Sequence, residues 1–505
     1  MRVVFVCAED ETPGVYYLSA FLKKHGHEVF LIFEPKQFDR AYIRNKRLAR
    51  FFSREKDNLK KIAQIRPDLI GFSCTTAHYQ WALLFTRKVK IKFPKTPIIF
   101  GGIHPTLVPE LVLEEKCIDF VCVGEGEKPL LELLQAIKQG EKEFNIPNIW
   151  YKKKGKIVKN PLRPLLEDLD KLPHIDKELF RGYLPDHYFT HSYFFTSRGC
   201  PFNCTFCGNE AMRKIFHGLG RYVRRMSPER TIEELVLIKK KYGAKYILFE
   251  DDVFAIDVDW LKKFIPLYKK KVGLPFTCFG HTQCLSSEIV RLLKKGGCNL
   301  LWFGVQSANE KIRREVLNRY ETNEQIRKAA KFCHQAGIKF MIDQILNIPY
   351  DTHEAIKEAI SLYNEIRPEM VNCYRLLYFP KAKINEIALE AGMIKKKDIN
   401  LINQGESVIY QTGEYVYGKH DFYQKYALVL TIIPLLPKWL VDRIARSDKA
   451  IEIFGRLPIF FIPLVKIVLN FKAGHGFLPI AIMQMEYFFT KQFFKTKLKM
   501  LFSRN

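Results

Sequence analysis

Residues 1–140 alternate short apolar runs with amphipathic stretches, and that rhythm constrains the fold more than any other feature of the chain. Val3–Cys7, Glu28–Phe33, Asp68–Ser73, Pro97–Phe100 and Phe120–Val123 read as strands. Val15–His25, ending at Gly26, Tyr79–Lys92 and a stretch from about Lys128 to Lys138 read as helices between them. Strands that alternate with helices build a parallel sheet covered on both faces. The last three strands each run into a turn of small or polar residues: Ser73-Cys-Thr-Thr76, Gly101-Gly-Ile-His104 and Gly124-Glu-Gly-Glu127. Open α/β sheets bind ligands at the carboxyl ends of their strands, so these loops are expected to share one rim. His104 reads as a capping or loop histidine on that rim.

The segment 141–190 holds Pro147, Pro161, Pro164, Pro173 and Pro185 with a Lys152–Lys154 run, and reads as a connector. Residues 191–395 resume the alternation. Tyr193–Thr196, Tyr246–Phe249, Phe276–Phe279, Leu300–Val305, Lys339–Ile345 and Met370–Leu377 are candidate strands, with helices such as Pro228–Tyr242 and Asn323–Ala336 between them. Six such units fit an incomplete β/α barrel with its chemistry at the strand carboxyl ends. They also fit an open doubly wound sheet, and spacing alone does not separate the two. Over 396–505 the alternation stops. Apolar runs at Ala427–Leu436, Leu457–Leu469 and Phe477–Phe489 are cut by prolines, and the last fifteen residues carry Lys491, Lys495, Lys497, Lys499 and Arg504 with no acid.

Composition narrows the class. With 47% hydrophobic residues the 505-residue chain can bury cores, which excludes global disorder. Its 81 Lys+Arg against 54 Asp+Glu leave +27, a charge suited to nucleic acid, an anionic membrane surface or an acidic substrate. No uninterrupted apolar stretch reaches about 18 residues, so no conventional membrane span is expected. Met1–Gly14 reads as a first strand rather than a signal peptide, and 12 Cys without such a signal point to a reducing cytoplasm.

The strongest local signal is Cys200-Pro-Phe-Asn-Cys204-Thr-Phe-Cys207, directly after a predicted strand. Three thiolates within eight residues can serve one metal centre from one loop. Structural zinc normally takes four ligands in two pairs, and no second Cys/His pair lies nearby. Three thiolates suit a 4Fe-4S cluster that keeps one iron open. The other nine cysteines are scattered and read as buried small hydrophobes.

On this loop the chain resembles the radical S-adenosylmethionine (radical SAM) superfamily, whose hallmark is the same C-x3-C-x2-C after the first strand of a six-unit partial barrel. The resemblance implies a 4Fe-4S cluster on Cys200, Cys204 and Cys207, S-adenosylmethionine on the open iron, and a 5′-deoxyadenosyl radical formed with an external flavodoxin- or ferredoxin-type electron donor. Phe206 stands where the family has an aromatic near the adenine. Glu250-Asp-Asp-Val-Phe254 resembles the D-D-x-F segment of the cobalamin-associated branch, which places Glu250 and Asp251 near S-adenosylmethionine or substrate. Gly304-Val-Gln-Ser307 is similar to the fourth-strand G-x-E-S segment, with Gln306 for the usual Glu and Ser307 beside it. Asn347-Ile-Pro-Tyr-Asp-Thr352 replaces both glycines of G-L-P-G-E-T, and Phe379-Pro-Lys-Ala382 lacks the usual P-G-T.

Residues 1–140 resemble the cobalamin-binding domain of that branch, through Gly101-Gly-Ile-His-Pro105 and Val123-Gly-Glu-Gly-Glu127. Ser73, Thr75, Gly101, Gly102, Gly124 and Gly126 would border the corrin. The D-x-H-x-x-G motif is absent: Glu9, Glu11 and Gly14 occupy its positions, so cobalt would lack that lower ligand. The implied architecture is a flavodoxin-like domain at 1–140, a linker at 141–190, a partial (β/α)6 barrel at 191–395 and a helical, apolar and basic region at 396–505. The implied reaction is cobalamin-dependent C-methylation of an unactivated carbon on a small or lipid-like substrate. A cyclase or rearrangement without methyl transfer is the alternative. Modification of tRNA fits less well, because a second N-terminal cysteine triad is missing, so nucleic acid is not the expected partner. For the tail two readings stand: helices packed on the barrel, or a peripheral membrane patch in which Phe488, Phe489, Phe493, Phe494 and Phe502 interleave with lysines.

Overall fold

The computed structural model describes residues 1–39, 45–406, 422–455, 461–472 and 489–495. Five strands, β1 (Arg2–Ala8), β2 (Glu28–Glu34), β3 (Leu69–Ser73), β4 (Ile98–Gly101) and β5 (Phe120–Cys122), pair in parallel in the order β2-β1-β3-β4-β5. Val3, Val4, Leu69, Ile70 and Ile98 are fully buried, as expected of strands covered on both faces. The chain leaves β1 toward β2 and returns on its other side to β3. This reversal opens a crevice at the carboxyl ends of β1 and β3.

The segment read as a connector does more than connect. β6 (Ile149–Lys153) and β7 (Lys156–Val158) extend the first sheet antiparallel beyond β5. The two-residue turn between them, Lys154-Gly155, has positive φ at both positions (50° and 78°), the conformation that joins tight hairpins. Three successive lysines mask the strand alternation there, while Ile149 and Tyr151 supply the buried face.

The second sheet has six parallel strands: β8 (His191–Phe194), then, after the short antiparallel ribbon β9 (Ser197–Arg198) and β10 (Arg224–Arg225), β11 (Tyr246–Phe249), β12 (Phe276–Gly280), β13 (Cys298–Gln306), β14 (Lys339–Leu346) and β15 (Met370–Arg375). Their spatial order is their sequence order, β8-β11-β12-β13-β14-β15, with no reversal. Right-handed crossovers that always advance in one direction put every helix on one face. The other face is the lumen of an incomplete barrel, and the doubly wound alternative is excluded. Helices Pro228–Tyr242, Val258–Lys271, Ser287–Gly296, Asn323–Ala336 and His353–Ile366 form that outer layer, each packed on the next.

The C-terminal region closes the barrel's open side. Helix Phe422–Ile432 covers the outer face of β15, where the Thr431 hydroxyl meets Cys373 Sγ at 3.9 Å. Helices Lys438–Ala445 and Asp448–Gly455 are tied to His353–Ile366 by Asn364 Nδ2 donating to Asp442 Oδ1 (2.7 Å) and by the Lys357–Asp448 ion pair (2.6 Å). Helix Phe461–Lys472 lies on the lumen side: Leu469 packs with Leu300, Met341 and Met370, the inward residues near the starts of β13, β14 and β15. Residues 489–495 return to the first domain. Phe489 stacks on Phe33 (6.1 Å), and Phe493 packs on Phe52 (5.0 Å). Phe489 and Phe493 are therefore buried core residues, not the lipid-facing aromatics their spacing among lysines suggested. Phe488, Phe502, Lys497, Lys499, Arg504 and most of the Phe477–Phe489 run lie outside the described residues.

Candidate active site

β8 ends at the barrel mouth and delivers the chain through β9 into the cysteine loop. The loop is held from several sides. Asp251 accepts from the Thr196 amide (3.0 Å) and hydroxyl (2.8 Å) and from the Ser197 hydroxyl, just upstream of it. Arg213 donates to the carbonyls of Cys200 and Phe202. The Thr205 amide and hydroxyl donate to the carbonyls of Leu317 (3.1 Å) and Val316 (2.6 Å), and Asn318 Nδ2 donates to the Asn203 carbonyl (2.7 Å). The sulfurs have polar neighbours of their own: Arg319 Nη1 stands 3.7 Å from Cys204 Sγ, and Asn209 Nδ2 stands 3.7 Å from Cys207 Sγ.

Burial pushes the Cys200 thiol up to about 12, and raises Cys204 and Cys207 as well, with Arg319 opposing the rise at Cys204. Thiols in such a setting ionise when a metal compensates the charge. No group of three or more His, Cys, Asp or Glu among the described residues is arranged around a single metal ion. Thiolates that share a 4Fe-4S cubane attach to different irons and do not converge on one point. The donor set, three thiols with N–H donors at two sulfurs, fits such a cluster.

The residues expected around S-adenosylmethionine separate into distinct roles. Glu250, at the end of β11, has its carboxyl pushed up to about 7 by burial and by the negative charges of Asp10, Asp251 and Glu11. Asp251 is buried and spends its oxygens on Thr196 and Ser197, so it positions the loop upstream of the cysteines. The next residue, Asp252, is the one whose charge reaches Cys200 and Cys207 and which shares a hydrogen bond with Asn209. Phe206 is half-buried against an apolar cluster that includes Leu317 and Ile348. Gln306 sits at a β13 irregularity with φ 65°; its carbonyl accepts from Gln344 Nε2 (2.8 Å), and its side-chain amide folds over Gly304, into space any Cβ there would fill. Ser307 is buried, its hydroxyl accepting from the Asn309 amide at 3.3 Å. Arg319 links this strand end to the cysteine loop: besides Cys204 it donates to the Gly304 carbonyl (2.8 Å) and pairs with Glu321 (2.7 Å).

At the crevice of the first sheet lies a cavity of about 330 Å³. Ser73, Gly101, Gly102, Gly124 and Gly126 line it, with apolar side chains such as Phe5, Leu18 and Ile99. A Cβ at Gly101 would meet nothing nearer than Cys122 at 3.7 Å, so glycine there leaves the floor open to a ligand. Gly102 has φ 93° and ψ −170°, a conformation essentially reserved for glycine, and a Cβ would come within 2.8 Å of the Cys74 carbonyl oxygen. This small-residue floor fits a large planar ligand. Thr75 turns aside from the cavity, its hydroxyl 3.0 Å from His78 Nδ1, and His78 in turn faces Glu9 at 3.3 Å. His104 is fully buried against Tyr79, and burial lowers its imidazole to about 3.

The cavity and the cysteine loop meet. Phe195, Ser197, Arg198 and Met226 of the barrel complete the cavity wall. Arg198, two residues before Cys200, bridges Glu125 (2.9 Å) and Glu127 (2.6 Å) of the rim loop and lies over the Tyr17 ring. Arg224, its partner across the β9–β10 ribbon, holds Glu125 at 2.8 Å. Burial pushes the Glu125 carboxyl up, but the two guanidiniums more than reverse this and hold it below the usual carboxylate range. Gly124 packs so closely on Phe216, which follows the cysteine loop, that a Cβ would stand 2.5 Å from its ring.

Residues 2–134 match the B12 binding domain family and residues 194–363 the Radical SAM superfamily. The chain joins a B12-binding domain to a radical SAM domain. It is 29% identical to an uncharacterized methyltransferase of Pyrococcus horikoshii over 67% of its own length and 73% of the relative's. It is 25% identical to an anaerobic magnesium-protoporphyrin IX monomethyl ester cyclase of Rubrivivax gelatinosus, covering 74% and 67% of the two chains. In fold it resembles the radical S-adenosylmethionine methyltransferase TsrM of Kitasatospora setae, with a TM-score of 0.64 at 17% identity, covering 78% of this chain and 77% of that one.

Sequence reasoning took the glycines of Gly124-Glu-Gly-Glu127 as the informative residues of that loop. The two glutamates between them carry the joint between the B12-binding and radical SAM domains. The available signal was charge complementarity: a Gly-Glu-Gly-Glu turn on one strand end, and arginines at 198, 224 and 225 around the cysteines. Asp252 and Arg319 were also missed, the first by one residue of register and the second because it lies far from the cysteines in sequence.

Proposed function

We propose that this protein is a cobalamin-dependent radical SAM methyltransferase acting on an unactivated carbon of a small or lipid-like substrate. The observation that carries the reading is the joint: the glycine-floored cavity of the B12-binding domain opens against the chain that leads into the cysteine loop, so two cofactor sites border one space. Cys200, Cys204 and Cys207 hold the 4Fe-4S cluster. Glu250, Gln306, Ser307 and Phe206 border S-adenosylmethionine, and Asp251 positions the loop. Ser73, Gly101, Gly102, Gly124 and Gly126 border the corrin, while Thr75, turned toward His78, does not line its cavity. When bound, these groups supply one-electron cleavage of S-adenosylmethionine and a cobalt-carried methyl, which suits an sp³ carbon that has no nucleophilic electron pair. The chain's own contribution is placement and exclusion of water: Arg198 and Arg224 lock the rim loop to the cluster loop, and Arg319 ties Cys204 to the end of β13. The electron enters from a flavodoxin- or ferredoxin-type donor.

Anaerobic purification with iron, sulfide and corrin quantified together tests the cofactors. About four Fe per chain with a corrin spectrum supports them; zinc alone overturns the reading. Incubation with methyl-labelled S-adenosylmethionine tests the reaction. Label in product supports methyl transfer, while turnover without label favours the cyclase reading, which the Rubrivivax relative motivates.

The reading includes peripheral contact with a membrane surface. No helix among the described residues is long and apolar enough to cross a membrane.

A further inference from the structure

Helix Phe461–Lys472 is two-faced in an unusual way. One arc (Ile462, Val465, Leu469) packs into the molecule, Leu469 and Val465 against the lumen wall of the barrel. The opposite arc is also apolar and faces out: Leu464 is 52% exposed, Ile467 39%, Val468 53% and Phe471 55%. A helix on the surface of a globular protein ordinarily turns polar residues outward. The patch continues past the helix. Lys472 Nζ donates to the Pro434 carbonyl (3.0 Å), which brings Leu435, 38% exposed, to the same end; Trp439, four residues further along the chain, is 65% exposed. The rim there is basic: Lys472 itself, Lys438, and Lys339, whose ammonium reaches the Lys472 carbonyl at 3.2 Å.

We infer that this face docks on an anionic lipid bilayer, lying in the interface with its apolar arc in the acyl boundary and its lysines at the head groups. The inference rests on the membrane contact included in the proposed function and names the surface that makes it, in place of the terminal aromatics. Three observations select a bilayer over other occupants. The 12-residue helix is about 18 Å long, enough to lie on a membrane and too short to cross one. A symmetric contact with a second copy would gather two copies of the same lysine rim at one seam, in a chain of net charge +27. An exposed tryptophan beside a lysine-rimmed apolar stripe suits the boundary where hydrocarbon meets charged head groups.

Flotation with vesicles of phosphatidylglycerol and phosphatidylcholine tests this on the full chain. The expected result is co-flotation that is absent with phosphatidylcholine alone and is weakened by salt. The triple substitution Leu464→Glu, Val468→Glu, Phe471→Glu, at positions already exposed, should lower the bound fraction roughly tenfold or more. Trp439→Ala should lower it several-fold without touching that helix, which keeps the test valid if the triple variant misfolds by circular dichroism. Absence of flotation by the natural sequence overturns both the surface and the membrane contact. Flotation unchanged in both variants overturns the surface and leaves the contact standing. A dimer in vesicle-free solution that the triple substitution dissociates assigns the face to a second copy, and also overturns the inference. None of these outcomes bears on iron, corrin or methyl label, so the catalytic reading stands or falls separately.

Discussion

The two parallel sheets are built from the same unit and place their sites differently. In the B12-binding domain the strand order reverses between β1 and β3, and the cavity sits in the crevice that the reversal leaves. In the radical SAM domain the order never reverses, the sheet curls, and the cysteine loop hangs from the carboxyl end of its first strand. Connection order, not strand composition, decides whether an α/β unit offers a slot between strands or a mouth above them. The molecule sets the slot against the mouth and joins them through Glu125, Glu127, Arg198 and Arg224.

If the two sites are separable units, each should be lost without the other. Cys204→Ala has the largest expected effect: iron falls from about four per chain toward none, since a cluster short of one thiolate is not retained, while corrin binding stays. Loss of corrin with the iron would break the comparison. Gly102→Ala should do the reverse. Its Cβ would press on the Cys74 backbone in a glycine-only conformation, at a cost of about 1–3 kcal/mol, and corrin binding should drop with iron content unchanged. Arg198→Gln should spare both cofactors, because Arg224 still holds Glu125. Methyl transferred per S-adenosylmethionine cleaved should fall roughly ten- to a hundredfold as the two sites lose register, and unchanged coupling would reduce the joint to a structural contact. The smallest effect belongs to Glu250→Gln. Burial and acidic neighbours raise this carboxyl in the folded state to about 7. Its ionisation therefore costs stability as pH rises from the unfolded value toward 7 and beyond. The variant should melt at higher temperature than the natural sequence at pH 8 and at nearly the same temperature at pH 5; a difference that does not depend on pH would place Glu250 outside the acidic cluster.

The parallel strands of both sheets were legible because fully buried parallel strands are continuous apolar runs, and each fell within a few residues of its expected place. The cysteines were legible because their spacing is a property of one loop. Three things were not. The β6–β7 hairpin hid behind Lys152, Lys153 and Lys154. The duty of the Glu250-Asp-Asp252 segment turned on which way each successive side chain points at a strand end: Asp251 turns to Thr196 and Asp252 toward the cysteine loop. The aromatic tail read as a lipid-facing surface, yet Phe489 and Phe493 find partners in Phe33, Phe51 and Phe52 more than 400 positions earlier, a pairing no local pattern encodes.

By itself the sequence determined the parts: two alternating α/β units, a three-thiol loop after a strand, and turns of small or polar residues at three strand ends. Those follow from short-range chemistry, the period of apolar residues and the spacing of thiols along a few bonds. Only the tertiary structure decided that the second unit curls into a barrel, that a C-terminal helix enters its lumen side, and that a Gly-Glu-Gly-Glu turn grips the arginine ahead of the cysteines. Those depend on the order in which strands find neighbours and on charges brought together from distant segments, which spacing along the chain does not record.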